Sequence, residues 1–173
     1  MPDSRPPIAE DVAIARKMLA DNTAVIALCP AGGVDTWPVA LRIGRAVEAL
    51  GHGSLVLVRA IGSGTAQPRE GEPPFSTRPL PEDPGLVELT LPLADHPSQR
   101  TTNLNRALPL ARGRFAHLLV DLAGCMEHLR EVVDLFDGFV SVVAAGRTRE
   151  RELVTLVELL PTSRHLGTLL VDE

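Results

Sequence analysis

Six apolar runs, each short enough to be a strand, alternate along the chain with stretches whose apolar residues recur every three or four positions. The runs are TAVIALC (23–29), SLVLVRA (54–60), LVELTL (86–91), FAHLLVDLAG (115–124), GFVSVVAAG (138–146) and HLGTLLV (165–171). Several are apolar at consecutive positions, as in strands covered on both faces. Between them lie helical stripes: Ile8, Val12, Ala15 and Leu19; Ala40, Ile43, Val47 and Leu50; Leu129, Val132, Val133 and Phe136; and Leu153, Leu156, Val157 and Leu160. A shorter helix is expected near 103–112, broken or delayed by Pro109. Strands that alternate with helices predict an α/β fold, a single three-layer domain with a mostly parallel sheet of about six strands and helices on both faces. Residues 1–22 form an N-terminal helical segment and 23–173 the α/β domain. Residues 61–84 carry six prolines and three glycines, which predicts a long surface loop without a packed element.

Composition narrows the function. The net charge of −5 argues against non-specific nucleic-acid binding. Two cysteines, Cys29 and Cys125, make no disulfide framework and lack the further ligands or CxxC spacing that a metal or redox role needs, so they read as reduced thiols. No apolar run reaches the ~20 residues needed to span a bilayer, and the N-terminus lacks a signal-peptide core. A cytoplasmic location is expected, with membrane association only through a partner. The histidines are scattered, His128 falls on the solvent side of its helix, and no G-x-S-x-G elbow occurs.

The stretch CPAGGVDTW (29–37) joins the first strand to the helix that begins near Pro38, which suits a first helical turn. A glycine-bearing strand-to-helix turn is where α/β proteins hold phosphate. The cadence VEALGHGSLVLV (47–58), the strand FAHLLVDLAG with Asp121, and the section from DGFVSVVAAGRTR to the final LG strand together resemble the P-loop ATPase superfamily of the MinD/ParA proteins, and most of all the bacterial tyrosine kinases of capsule and exopolysaccharide synthesis. The resemblance covers roughly 23–171. It implies a P-loop NTPase-like fold, with Asp121 at the Walker B position on the metal side.

The motifs do not follow the pattern. A phosphate loop uses glycines to open its backbone N–H groups, a lysine for the β- and γ-phosphates, and a Ser/Thr hydroxyl for magnesium. Here Gly32 and Gly33 are present. With VAL (39–41) set on the family's helix start, Asp35, Thr36, Trp37 and Pro38 fall on Gly-Lys-Ser/Thr-Thr. The only lysine of the chain is Lys17. An aspartate near a triphosphate replaces attraction with repulsion, each of order 4 kcal/mol between close charges near a surface. At the end of the second strand, where the resembled kinases place an Asp-x-Asp-like signature, Arg59, Ala60 and Ile61 stand. The chain has no tyrosine, and the Arg-containing ring motif of those kinases is not evident near Glu10 and Arg16.

The loop is therefore expected to keep its architecture without nucleotide chemistry, with no catalytic residue, cofactor or metal. Asp121 reads as a cap of the turn that follows it. The backbone N–H groups of Gly32 and Gly33 keep some capacity for an anion. Trp37 either fills the phosphate pocket or anchors an interface. Arg59, Arg147 and Arg149 are candidates for one docking surface at the strand ends, although GRTRERE (146–152) also suits a solvated face. The favoured reading is a non-catalytic, pseudo-ATPase-like interaction protein. The resemblance implies a cytoplasmic subunit of an exopolysaccharide synthesis or export system. Its expected partner is the cytoplasmic tail of a membrane export protein, an active homologue, or a second copy. The alternatives are an enzyme or small-ligand binder using Asp35, Thr36, Arg59 and Asp121, with 61–84 as its lid, and a MinD/ParA-like positioning protein.

Overall fold

The computed structural model describes residues 8–20, 24–51, 55–64 and 68–172. Seven strands form one sheet: β1 (Ala24–Pro30), β2 (Leu55–Arg59), β3 (Ser76–Pro79), β4 (Val87–Thr90), β5 (His117–Asp121), β6 (Gly138–Ala144) and β7 (His165–Val171). Their order is β3-β4-β2-β5-β1-β6-β7, and every pairing is parallel except β3 with β4. The central position of β1 explains why all seven of its residues are buried. Helices α1 (Ala9–Leu19) and α2 (Trp37–Ala49) cover one face. Helices α3 (Pro97–Arg112), α4 (Leu129–Val132) and α5 (Glu150–Leu159) cover the other.

The number of strands corrects the expectation for 61–84. That stretch holds β3, an antiparallel edge strand in register Ser76↔Thr90 to Pro79↔Val87. Its four residues are all exposed, but Phe75 and Leu80 on either side are buried and pin it to the sheet. An edge strand tolerates Pro79, since only one side of it must offer hydrogen bonds. Three helices also differ in detail. Helix α3 starts at Pro97 and runs through Pro109. Pro109 is on the exposed face, as is Asn105, whose carbonyl it cannot bond, so water can take that bond. The stripe from Leu129 to Phe136 does bury Leu129, Val132 and Phe136, but the backbone there winds as a 3₁₀ turn, the single α-turn α4, and a second 3₁₀ turn. On α5 Leu156 is buried, as is Leu160 just past its end, whereas Val157 is half exposed.

The N-terminal helix packs into the same core: Ile14, Ala15 and Met18 join the layer under α2. It is also tied down by charge. Asp11, fully buried, accepts two hydrogen bonds from Arg42 of α2, at 2.9 and 2.8 Å. The connections that follow β1, β2, β4, β5 and β6 all emerge at the carboxyl edge of the parallel strands, where open α/β sheets place ligands.

Candidate functional site

At this edge β1 runs into the turn 31–36, and β5 stands beside β1 in register Leu28↔Asp121. The Thr36 hydroxyl, fully buried, donates a short hydrogen bond to Asp121 Oδ1. The same oxygen accepts the N–H of Ala123 at 2.9 Å. Burial holds the Asp121 carboxyl above its ordinary pKa. The bonds from Thr36 and Ala123 and the charge of Arg59 work against that shift, and the charge of Asp35 adds to it.

This contact moves the sequence register by one residue. It is Thr36, not Trp37, that offers a hydroxyl to the strand-end carboxylate. Set on G-x-x-x-x-G-K-[ST], the eight residues ending at Thr36 begin at Cys29. Cys29 and Val34 then stand for the two glycines, and Asp35 stands for the lysine. Asp35 turns its carboxylate onto the start of α2, where Oδ1 accepts the N–H of Trp37 at 3.0 Å. A helix N-terminus that would attract an external anion is thus met by an anion of its own chain.

A second carboxylate lies against the turn. Gly32 has φ +69°, and a Cβ there would stand 3.2 Å from the carboxyl carbon of Glu152. Glu152 is held in place as the reciprocal cap of α5, its Oε2 accepting the N–H of Arg149 at 2.8 Å. Gly32 thus has the Glu152 carboxylate against it, while Asp35 sits at the start of α2. Nothing in GRTRERE, which suits a docking surface or a solvated face by pattern alone, marks Glu152 as the residue that meets Gly32.

Trp37 is 8% exposed, so its ring packs within the chain. Arg59 lies over its ring, with Cζ 3.8 Å from the centroid, and its Nε1 donates to Glu82 at 3.4 Å. The Arg59 guanidinium is 3.6 Å from Glu82 and 3.9 Å from the buried Glu88, and its Nε is buried with no hydrogen-bond partner. Of Asp35, Thr36, Arg59 and Asp121, Thr36 and Asp121 are hydrogen-bonded, and the charges of Asp35 and Arg59 lie close enough to act on Asp121.

No protein-family model matches the sequence, and no curated protein matches it. Solved structures do. The chain is similar to the VpsO kinase domain (17% identity, TM-score 0.61, 94% of each chain covered). It is similar to the kinase domain of the Escherichia coli tyrosine kinase ETK (12% identity, TM-score 0.66, 92% of this chain and 71% of that one). It also matches a ParA family ATPase from Chlorobium tepidum TLS (13% identity, TM-score 0.54, 86% and 73%). The fold is that of the P-loop ATPases.

Within a P-loop fold the position of Lys17 matters. Its Nζ donates to Leu166 O at 2.6 Å, at the start of β7 and so at the opposite end of the sheet from the loop. Arg147 and Arg149 are exposed in the β6–α5 connection. They share the P-loop edge with Arg59, but β5 and β1 lie between, a separation of roughly 14 Å at ~4.8 Å per strand. Arg59 therefore belongs with Trp37 and not to one patch with Arg147 and Arg149. Among the described residues, no group of three or more His, Cys, Asp or Glu is arranged to hold a metal. No helix of the described residues is long and apolar enough to cross a membrane.

Cys29, near the end of β1, and Cys125 are both buried free thiols. Burial, and next the charge of Asp121, raises the Cys29 thiol pKa far out of the reactive range. Burial pushes Cys125 up to about 11. The thiolate is the nucleophile, so neither cysteine of the folded protein should react with 5,5′-dithiobis(2-nitrobenzoate) at pH 8 at the rate of a free thiol. Both should react in guanidinium. Rapid release of one equivalent from folded protein would contradict this burial.

Proposed function

We propose that the chain is a non-catalytic, pseudo-ATPase-like interaction protein that works as a subunit of an exopolysaccharide synthesis or export system. It keeps the P-loop scaffold without the nucleotide chemistry. One observation carries the reading. At the lysine position stands Asp35, whose carboxylate already occupies the first N–H of the loop's helix. Glu152 beside Gly32 and the distant Lys17 support it, because a triphosphate would meet two fixed negative charges with no lysine near. The pathway rests on the likeness to tyrosine kinases of capsule and exopolysaccharide synthesis. By that likeness the partner is the cytoplasmic tail of a membrane export protein or an active homologue, and the exposed Arg147 and Arg149 suit an acidic contact on it.

The test is calorimetric titration with ATP and magnesium, run beside a phosphate-release assay and a pull-down with candidate export proteins. The expected result is no binding heat, no release, and capture of a partner that weakens when Arg147 and Arg149 are replaced by glutamate. Micromolar ATP binding with hydrolysis would overturn the proposal.

A further inference from the structure

The sheet ends on β3 at one side and on β7 at the other, and the two edges are built differently. β3 is four residues long and holds Arg78 and Pro79. Shortness, charge and proline keep an edge strand from pairing with another chain. β7, HLGTLLV, is seven residues long and has no proline, lysine, arginine or carboxylate. It is the edge left open to a further strand.

The hydrogen bonds show which of its backbone groups are free. Val171 O accepts the N–H of Ala145, just past β6, at 2.9 Å. Val171 therefore turns toward β6, as does Leu169 two residues before it, because backbone direction alternates along a strand. Thr168 and Leu170 then turn their N–H and C=O groups to the open side, and among the described residues nothing beyond β6 bonds them. The Leu170 side chain is 63% exposed, more than any other large apolar side chain among the described residues. Leu169 and Val171 are buried under α1 and α2, so Leu170 points to the opposite face.

Charge along this edge is confined to two places. Lys17, the only lysine of the chain, sits on Leu166 O at 2.6 Å. Asp172 is exposed just after Val171. Arg164 and His165 turn elsewhere, Arg164 to Val133 O and Phe136 O and His165 to Ser141.

We infer that β7 pairs antiparallel with β7 of a second copy of this chain, about a two-fold axis at Leu169, so that the two sheets become one. A two-fold makes the contact closed and self-complementary. In this register Thr168 faces Leu170 of the second copy, and every free N–H and C=O of the two residues finds a partner. Leu166 faces Asp172 of the second copy, which brings that carboxylate to the Lys17 ammonium, twice by symmetry. The two Leu170 side chains become diagonal neighbours, about 7–8 Å apart at Cα and within reach of each other. Another extended peptide would satisfy the backbone equally. The opposite charges of Lys17 and Asp172, placed symmetrically about Leu169 on one edge, select this chain's own strand. The interface shares no residue with the loop before α2, so it stands whether or not the protein binds nucleotide. A contact this small belongs to the transient class.

The test is sedimentation equilibrium of the full chain from micromolar to millimolar loading, beside amide hydrogen exchange. The expected result is a monomer–dimer equilibrium in which the Thr168 and Leu170 amides gain protection as concentration rises. Leu170→Arg should weaken the dimer at least about tenfold, since it sets two like charges diagonally across the axis. Lys17→Glu and Asp172→Lys should each weaken it about tenfold, and the two together should restore it, because the swap returns opposite charges to each end. All three side chains are exposed, and amide spectra away from β7 report that the fold is intact. A monomer at every concentration overturns the proposal. So does a dimer that Leu170→Arg leaves unchanged, or one that the double swap fails to restore.

Discussion

Arg42→Ala is expected to destabilise the protein by about 3–5 kcal/mol, the range for leaving one member of a buried ion pair without its partner. For a chain of this size that lowers the melting temperature by roughly 10 °C. The reason is asymmetric burial. Asp11 has 1% of its side chain exposed, whereas Arg42 has 33%. Removing the arginine strands a carboxylate between α1 and α2. Removing the aspartate leaves a guanidinium that can turn to water, so Asp11→Ala should cost about 1 kcal/mol, near a single lost hydrogen bond. Thermal melts of the two variants decide the matter. Equal losses, or a larger loss for Asp11→Ala, would mean that the pair does not clamp α1 to the core.

The second large effect runs the other way. Asp121→Asn should stabilise the protein at neutral pH by about 1–3 kcal/mol, the scale on which desolvation of a buried polar group acts. Both bonds that Asp121 accepts, from Thr36 and from Ala123, end on Oδ1. An asparagine oxygen can accept both, and the buried charge is gone. The sign of the pH dependence follows from the raised pKa of this carboxyl. The folded state holds the proton more tightly than the unfolded chain, so the native protein loses stability as pH rises. The penalty is absent below the unfolded pKa of about 3.9 and is complete above the folded pKa. The gain of Asp121→Asn should therefore be small near pH 4, grow as the carboxyl ionises, and then level off. A loss of stability in Asp121→Asn at pH 7 would show that burying the new amide N–H groups costs more than removing the charge gains.

Five of the six apolar runs became inner strands, where burial on both faces demands apolar residues, and the sixth became the edge strand β7, which buries only Leu169 and Val171. β3 left no such trace. Ser76–Pro79 has no buried side chain, and only its pairing with β4 makes it a strand. Helical stripes were legible where a helix lies flat on the sheet, as Ala40, Ile43 and Val47 of α2 do. They misled where it does not, as Val157 shows.

The loop was legible in its chemistry and not in its register. The missing lysine and the presence of an aspartate are facts of the chain. Which residue faces Asp121 depends on how β1 and β5 align, and the contact it sets, Thr36 to Asp121, joins residues 85 positions apart. The carboxylate against Gly32 comes from a helix more than a hundred residues later, so no local pattern could place it.

The chain by itself determined an alternating α/β fold and a strand-to-helix turn short of positive charge, since periodicity and residue type are local properties. Tertiary structure alone decided that Thr36 meets Asp121, that Arg59 lies over Trp37, and that Glu152 stands against Gly32. Each of those contacts joins segments far apart in sequence, and only the stacking of strands at one sheet edge brings their side chains within bonding distance.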